Sequence, residues 1–240
     1  LFANEIRALR AVDEGDFEQP VSITTNDEFG TVAEYTNRMI RSLTDRTEQL
    51  QRTQDVTIRT LASLAETRDN ETGAHIVRTQ NYVCLLARAL ADQWQLSEKD
   101  IQDLYKSAPL HDIGKVGIPD SILLKPGPLT EDEWEEMRRH PVYGARALEA
   151  AESELGGQSF LTTARELTQT HHEKWDGTGY PGGLSGTAIP MAGRLMALAD
   201  VYDALISARV YKPAFSHEKA RGIIVEGRGA HFDPEVVDAF

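Results

Sequence analysis

His111 and Asp112 stand side by side in Leu110-His111-Asp112-Ile113-Gly114-Lys115, two side chains of metal-ligand type with a lysine three residues after the aspartate. Neighbours on a helix point about 100° apart at 3.6 residues per turn, so this pair cannot serve one ion from a regular helical face. Either the helix bends here or the pair is shared between ions. Further donors are spread along the chain. Glu71 and His75 are four apart, on one face of a helix. His140 precedes Pro141, His171 and His172 are adjacent, and Asp200 is an acid inside the otherwise apolar Ala199-Asp200-Val201-Tyr202-Asp203-Ala204-Leu205. A carboxylate buried there needs a cation or a strong donor nearby. Five of the seven histidines and three carboxylates make eight candidate ligands. One transition-metal ion with open positions takes only about four to six, so if most of the eight bind metal there are at least two ions. Imidazole and carboxylate without thiolate favour iron, manganese, nickel or zinc. A two-metal cluster with a bridging water is a physical solution for phosphodiester hydrolysis, because it makes hydroxide at neutral pH and neutralises phosphate charge.

Directly after the double histidine comes Glu173-Lys174-Trp175-Asp176-Gly177-Thr178-Gly179-Tyr180-Pro181-Gly182-Gly183-Leu184. Its glycines permit close backbone approach to a ligand, and Tyr180 offers a ring to stack on and a hydroxyl to donate. The segment is a candidate lip of an active site.

The elements that must position these residues are helical. Ile6, Leu9 and Val12 recur at helical spacing over Glu5 to Val12, and Gly15 breaks the run. Pro20 and the Val21 to Thr25 stretch read as an extended link, and Asn26-Asp27-Glu28 as the start of a long helix. That helix runs from about Phe29 to about Arg68. Val32, Met39, Arg46, Thr53 and Thr60 form one seven-residue series, and Thr36, Leu43, Leu50, Thr57 and Leu64 another. This is a heptad seam interrupted by polar residues, suited to a helix that transmits a shift. From Asp69 onward no alternating strand pattern of useful length occurs, so the fold class expected is all-α.

The first helix, the Gly15-Asp16-Phe17 connector, the Asp27-Glu28-Phe29-Gly30 helix start, Asn37 and Met39 resemble a HAMP signalling module over roughly residues 1–48. The usual proline of that family's first helix is absent. The Glu71-x-x-x-His75, His111-Asp112-Ile113-Gly114-Lys115, His140-Pro141, His171-His172, Gly179-Tyr180-Pro181 and Asp200 motifs, in that order, closely resemble the HD-GYP family of cyclic di-GMP phosphodiesterases over roughly residues 56–240. The domains expected are therefore a HAMP-like module at 1–48, a connecting helix at 49–68 and a catalytic HD-type helical bundle at 69–240.

The resemblance implies that Glu71, His75, His111, Asp112, His140, His171, His172 and Asp200 hold the metals, with Asp112 bridging ions. It implies that Lys115 contacts substrate phosphate, that Gly179 and Tyr180 belong to the signature loop, and that Arg209 and Lys212 are phosphate contacts. Three-residue spacing can aim both of those cations at one anion. His111, Asp112 and Lys115 form the catalytic set. Glu71 matches family members of the three-metal type, so the cofactors expected are two or three divalent ions, iron foremost, manganese as the alternative, with zinc or nickel also fitting.

The function expected is metal-dependent hydrolysis of cyclic di-GMP to linear pGpG or GMP. The competing readings are a cyclic di-GMP sensor with little turnover and an HD phosphohydrolase acting on another nucleotide. A net charge of −13 offers no basic field for a DNA or RNA polymer. The lone Cys84 lies in an apolar run, which reads as a buried free thiol in a reducing compartment. No window approaches the roughly 20 apolar residues of a membrane span. The HAMP resemblance implies a parallel homodimer through the first two helices and a cytoplasmic portion of a membrane-anchored parent. A chain that opens at Leu1 without Met reads as a fragment.

Overall fold

The computed structural model describes residues 2–13, 20–22, 25–69, 73–157, 159–208 and 213–240, arranged as two compact units, Leu1–Thr57 and Ile58–Phe240. Every named element among the described residues is helical. The one β-type feature there is an isolated bridge between Arg228 and Phe232. The all-α expectation holds.

In the first unit, helix α1 (Phe2–Asp13) and the opening of α2 (Glu28–Glu66) bury Ala8, Ala11, Val21, Ala33 and Ile40. The connector is held by side-chain chemistry. Asn37 accepts from Val21 N at 2.7 Å and donates to Val21 O at 2.8 Å, satisfying both backbone groups of one extended residue. The start of α2 lies where Asn26-Asp27-Glu28 indicated: Asp27 Oδ1 accepts from Phe29 N at 3.0 Å and Gly30 N at 3.2 Å, a helix cap. The Gly15-Asp16-Phe17 connector lies outside the described residues. Ala33 and Ile40, seven apart, are buried, whereas Val32, Met39, Leu43, Leu50 and Leu64 of the two heptad series are exposed.

In the second unit, α3 (Gly73–Ala89), α5 (Glu98–Ser107), α9 (Phe160–Thr170) and α10 (Met191–Ile206) share one core with α11 (His217–Glu226) and α12 (Pro234–Ala239). The short α4 (Ala91–Trp94) follows α3, and α6 (Asp120–Leu123) and α7 (Glu131–Met137) precede α8 (His140–Leu155), which packs against α9. Helix α10 buries Leu195, Met196, Ala197, Leu198 and Ala199 in succession. Apolar residues on every side of a helix mark the centre of a bundle. Cys84 is half-buried, not buried as its apolar surroundings suggested. The core face of α3 is Val83, Leu86, Ala87 and Leu90, and at 3.6 residues per turn Cys84 falls on its flank.

Candidate metal centre

His111 and Asp112 are not on a regular helix. α5 ends at Ser107, a 3₁₀ turn covers Ala108–Leu110, residues 111 and 112 form a turn, and a second 3₁₀ segment covers Ile113–Gly117. The helix thus breaks where the two ligand-type side chains need different directions. Gly114 makes the neighbouring contact with α8. A Cβ there would stand 1.9 Å from His140 O and 2.5 Å from Gly144 N, so no side chain fits between the two backbones. Thr168 Oγ1 donates to Leu110 O at 3.0 Å and ties α9 to the same turn.

Three histidines are oriented by one local device. Nδ1 of His111 lies 3.0 Å from Ala108 O, Nδ1 of His140 2.8 Å from Met137 O, and Nδ1 of His171 2.8 Å from Thr168 O. Each carbonyl is three residues earlier, in the closing turn of a helix or a 3₁₀ turn, where backbone acceptors are open to a side-chain donor. A carbonyl can only accept, so each Nδ1 carries a proton and each Nε2 is the nitrogen left to face the centre. In His75, on α3, Asp203 Oδ2 stands 2.8 Å from Nδ1 and fixes the same tautomer.

The freed Nε2 atoms converge on Asp112, whose Oδ1 lies 3.1 Å from His140 Nε2 and 3.5 Å from His171 Nε2. Among the described residues none of these three buried atoms completes a hydrogen bond. Oδ2 of Asp112 lies 3.3 Å from His111 Nε2 and 2.8 Å from Lys115 Nζ. His111 Nε2 in turn is 3.5 Å from His75 Nε2, and Asp200 Oδ1 is 3.7 Å from that same His75 nitrogen. Two donor groups result, Asp112 with His140, His171 and His172, and Glu66 with His75 and His111, each with ligand atoms within 4.8 Å of one another. The orphaned Asp112 Oδ1, with His140 Nε2 and His171 Nε2 facing it in a buried space, belongs to a donor set that fits divalent cations.

The electrostatics agree. Burial, reinforced by the charge of His171, pushes His172 well below its ordinary pKa, and burial lowers His171 against the pull of Asp112. Burial also opposes charge on His111, but the Asp112 carboxylate outweighs it and raises the imidazole to about 9. Asp112 is itself held well below the carboxylate range: burial works the other way and is overcome by Lys115 and His111. The pocket therefore draws in positive charge, a proton in one corner or a metal ion across it.

The signature loop closes one side of the site. Tyr180 N donates to His172 O at 3.2 Å, and its ring stacks on His172 with centroids 4.7 Å apart. The Arg138 guanidinium lies 5.6 Å from the same ring. Burial, with the Asp112 charge, raises the Tyr180 phenol, which stays a neutral donor. Glu173 is buried and holds the loop from beneath, its carboxylate accepting from Gly182 N at 2.6 Å and Leu184 N at 3.0 Å.

Of the residues singled out in the sequence, His75, His111, Asp112, Lys115, His140, His171, His172, Asp200, Gly179 and Tyr180 come to one region. Glu71, Arg209 and Lys212 lie outside the described residues. Asp200 keeps 21 % side-chain exposure, more than the other carboxylate there, Asp112, at 10 %. Sequence reasoning missed Glu66, Asp203 and Glu173. Asp203 had a signal, since it sits three residues from Asp200 on the same face of an apolar helix. Asp203 also pairs with Arg78 Nε at 2.5 Å. Its carboxyl is lowered to about 2: burial alone would raise it, and the bonds from Arg78 and His75 prevail.

Comparison with known proteins agrees with this geometry. The HAMP domain family matches residues 6–45, and the HD domain family, described as "HD domain", matches residues 39–236. The chain is 60 % identical over 238 residues to a cyclic di-GMP phosphodiesterase of Vibrio cholerae, covering 98 % of this chain and 48 % of that protein. It is 43 % identical over 178 residues to the 3'3'-cGAMP-specific phosphodiesterase 2 of the same organism, covering 74 % of this chain and 32 % of that one. The chain thus spans less than half the length of either relative. A crystal structure of a cyclic GMP-AMP-specific phosphodiesterase from V. cholerae superposes with a TM-score of 0.56 at 21 % identity, over 78 % of this chain and 47 % of that one, which bears on the fold alone. The HD match runs through every donor of the buried cluster, and on its extent the chain belongs to the HD domain family.

Proposed function

We propose that this chain hydrolyses cyclic di-GMP to linear pGpG or GMP, with divalent metal ions held by Glu71, His75, His111, Asp112, His140, His171, His172 and Asp200. The observation that carries this reading is the set of four histidines whose Nδ1 atoms are committed to fixed acceptors: Nε2 of His111, His140 and His171 faces Asp112, and Nε2 of His75 faces His111. Bound ions, with iron first and manganese as the alternative, would supply the acidity that turns water into a nucleophile at neutral pH and the positive charge that a phosphodiester requires. The protein's own groups do the rest. Lys115 sits beside Asp112 and presents a cation to a phosphate oxygen. Tyr180, packed on His172, offers a face to a purine, and Gly179 keeps the loop close to its base, since a Cβ there would stand 2.3 Å from Lys174 N. Arg209 and Lys212 are assigned as further phosphate contacts.

The domain limits we adopt are 1–48 for the HAMP-like module, 49–68 for the connecting helix and 69–240 for the catalytic domain. The exposed apolar seam on α2 supports a parallel homodimer. No described helix is long and apolar enough to cross a membrane, and the cytoplasmic assignment rests on the HAMP resemblance. A relative named for 3'3'-cGAMP favours one second reading, a cGAMP phosphodiesterase.

The test is steady-state hydrolysis by iron- or manganese-loaded protein, with products of cyclic di-GMP and of 3'3'-cGAMP separated by chromatography and identified by mass. Cyclic di-GMP should be opened with the higher kcat/KM. Asp112→Asn should lower turnover by roughly a thousandfold, because metal stabilisation of several kcal/mol converts at about 1.4 kcal/mol per tenfold. Metal-replete protein that returns both dinucleotides intact would sink the hydrolase reading.

A further inference from the structure

The linking helix α2 ends on the metal centre. Glu66, its last residue, is only 2 % exposed. A carboxylate oxygen of Glu66 and ligand nitrogens of His75 and His111 lie within 4.8 Å of one another. In this corner the two Nε2 atoms stand 3.5 Å apart. Both rings have spent their Nδ1 protons elsewhere, His75 toward Asp203 at 2.8 Å and His111 toward Ala108 O at 3.0 Å. The two rings so fixed face each other through Nε2, and the buried Glu66 carboxylate stands beside them. Two imidazoles and a carboxylate gathered in one buried corner are a donor set of the kind that binds a divalent cation.

Two residues further on, Arg68 anchors the end of the helix. Its guanidinium donates to Val116 O at 2.7 Å, to Ile118 O at 3.3 Å and to the Asp120 carboxylate. These residues continue directly from Lys115, so the backbone that carries Glu66 is fastened to the backbone that carries the active-site lysine. Ala62 and Ala65, both buried, seat the same last turns of α2 in the second unit.

We propose that Glu66 is a ligand of a divalent cation shared with His75 and His111, so that the helix joining the two units supplies part of the metal centre and its position sets occupancy of that ion. Two imidazoles and one carboxylate suit Fe(II), Mn(II) or Zn(II) and leave positions for water or substrate. No motif in the sequence assigns this role to Glu66. The inference rests on the metal-centre reading above and is independent of which nucleotide is the substrate.

The experiment is metal binding by the 240-residue chain, using Mn(II) as the probe, with ions per chain from plasma mass spectrometry and affinities from calorimetric titration. Glu66→Gln, which keeps shape and removes charge, should lose about one ion per chain or weaken one site by roughly 10- to 100-fold while leaving the other unchanged. Glu66→Asp, which keeps the charge on a shorter arm, should retain both ions with the same single site weakened. Arg68→Gln should weaken that site too, by a smaller factor. Thermal melting of each variant checks the fold. Stoichiometry and affinities equal to wild type in both Glu66 variants overturn the proposal. A wild-type chain that takes up no divalent ion overturns it together with the metal-centre reading, so the two failures are distinguishable.

Discussion

The two units place the wrong residues in opposite places. In the first, large apolar side chains stand in solvent: Val32, Met39, Leu43 and Leu50 are each more than a third exposed along a single helix. In the second, polar and charged groups are sealed inside: His111, Asp112, His140 and His171 are all buried. Each mismatch is costly in an isolated chain, and each names what resolves it. An exposed apolar stripe at heptad spacing calls for another helix, whereas buried lone pairs and carboxylates call for a cation. We propose helix pairing as the answer to the first and a metal ion as the answer to the second, and α2 belongs to both units.

The strongest way to break this contrast is to spoil the stripe. Leu43→Glu with Leu50→Glu should weaken self-association by about a hundredfold or more, since each buried leucine contributes roughly 1.5–3 kcal/mol and 1.4 kcal/mol is tenfold. Sedimentation equilibrium measures it. A wild type that remains monomeric at high concentration, or a variant that associates equally well, would remove helix pairing as the function of the stripe.

The buried side is sharpened by Asp203→Asn, which keeps shape but leaves His75 without a carboxylate at Nδ1. Metal affinity should drop by about 10- to 100-fold, the usual cost of losing such a partner, with circular dichroism unchanged. The carboxyl also sets a pH dependence. Its folded value of about 2 lies below the ordinary 3.8, so the stability it contributes, about 2 kcal/mol, is fully present above pH 4 and disappears as pH falls toward 2. Acid unfolding of wild type and Asp203→Asn should therefore converge at low pH. Curves that stay parallel throughout would show that Asp203 is not an ionised partner of Arg78 and His75.

The smallest effect belongs to the first unit's own polar device. Asp27 is held below its ordinary pKa by the Thr25 hydroxyl and by the Gly30 and Phe29 amides at the start of α2. Its support for the helix start is present above that ordinary value and is lost on acidification. Amide exchange at Phe29 and Gly30 should quicken in Asp27→Ala and in wild type at low pH, without change at the metal centre. Exchange that ignores both would mean the cap is not what starts the helix.

Much of this was legible in the chain because it is local. The helix start at Asp27, the long α2 and the apolar α10 follow from capping chemistry and periodicity within a few residues. His111, His140 and His171 could be picked out by residue type and motif. That each follows the end of a helical turn whose spare carbonyl fixes its tautomer is also local, although it depends on where the turns end, and that is the least legible feature of any sequence. Asp203 was half legible, through its spacing from Asp200. Glu66 was not: an acid at the end of an amphipathic helix reads as solvent-facing, and only the packing of α2 against the second unit's own core buries it beside His75 and His111.

By itself, then, the sequence determined the inventory, namely helices, a heptad stripe and a surplus of imidazole and carboxylate donors without thiolate. The tertiary structure decided which donors meet. His75 and His111 are 36 residues apart and Asp203 lies 128 residues from His75, yet their atoms come within 3.5 Å because α3, α10 and the broken turn after α5 pack around one centre. Ligation depends on distances of a few tenths of an ångström between side chains far apart in the chain, and such distances are set by how helices pack, which no local pattern encodes.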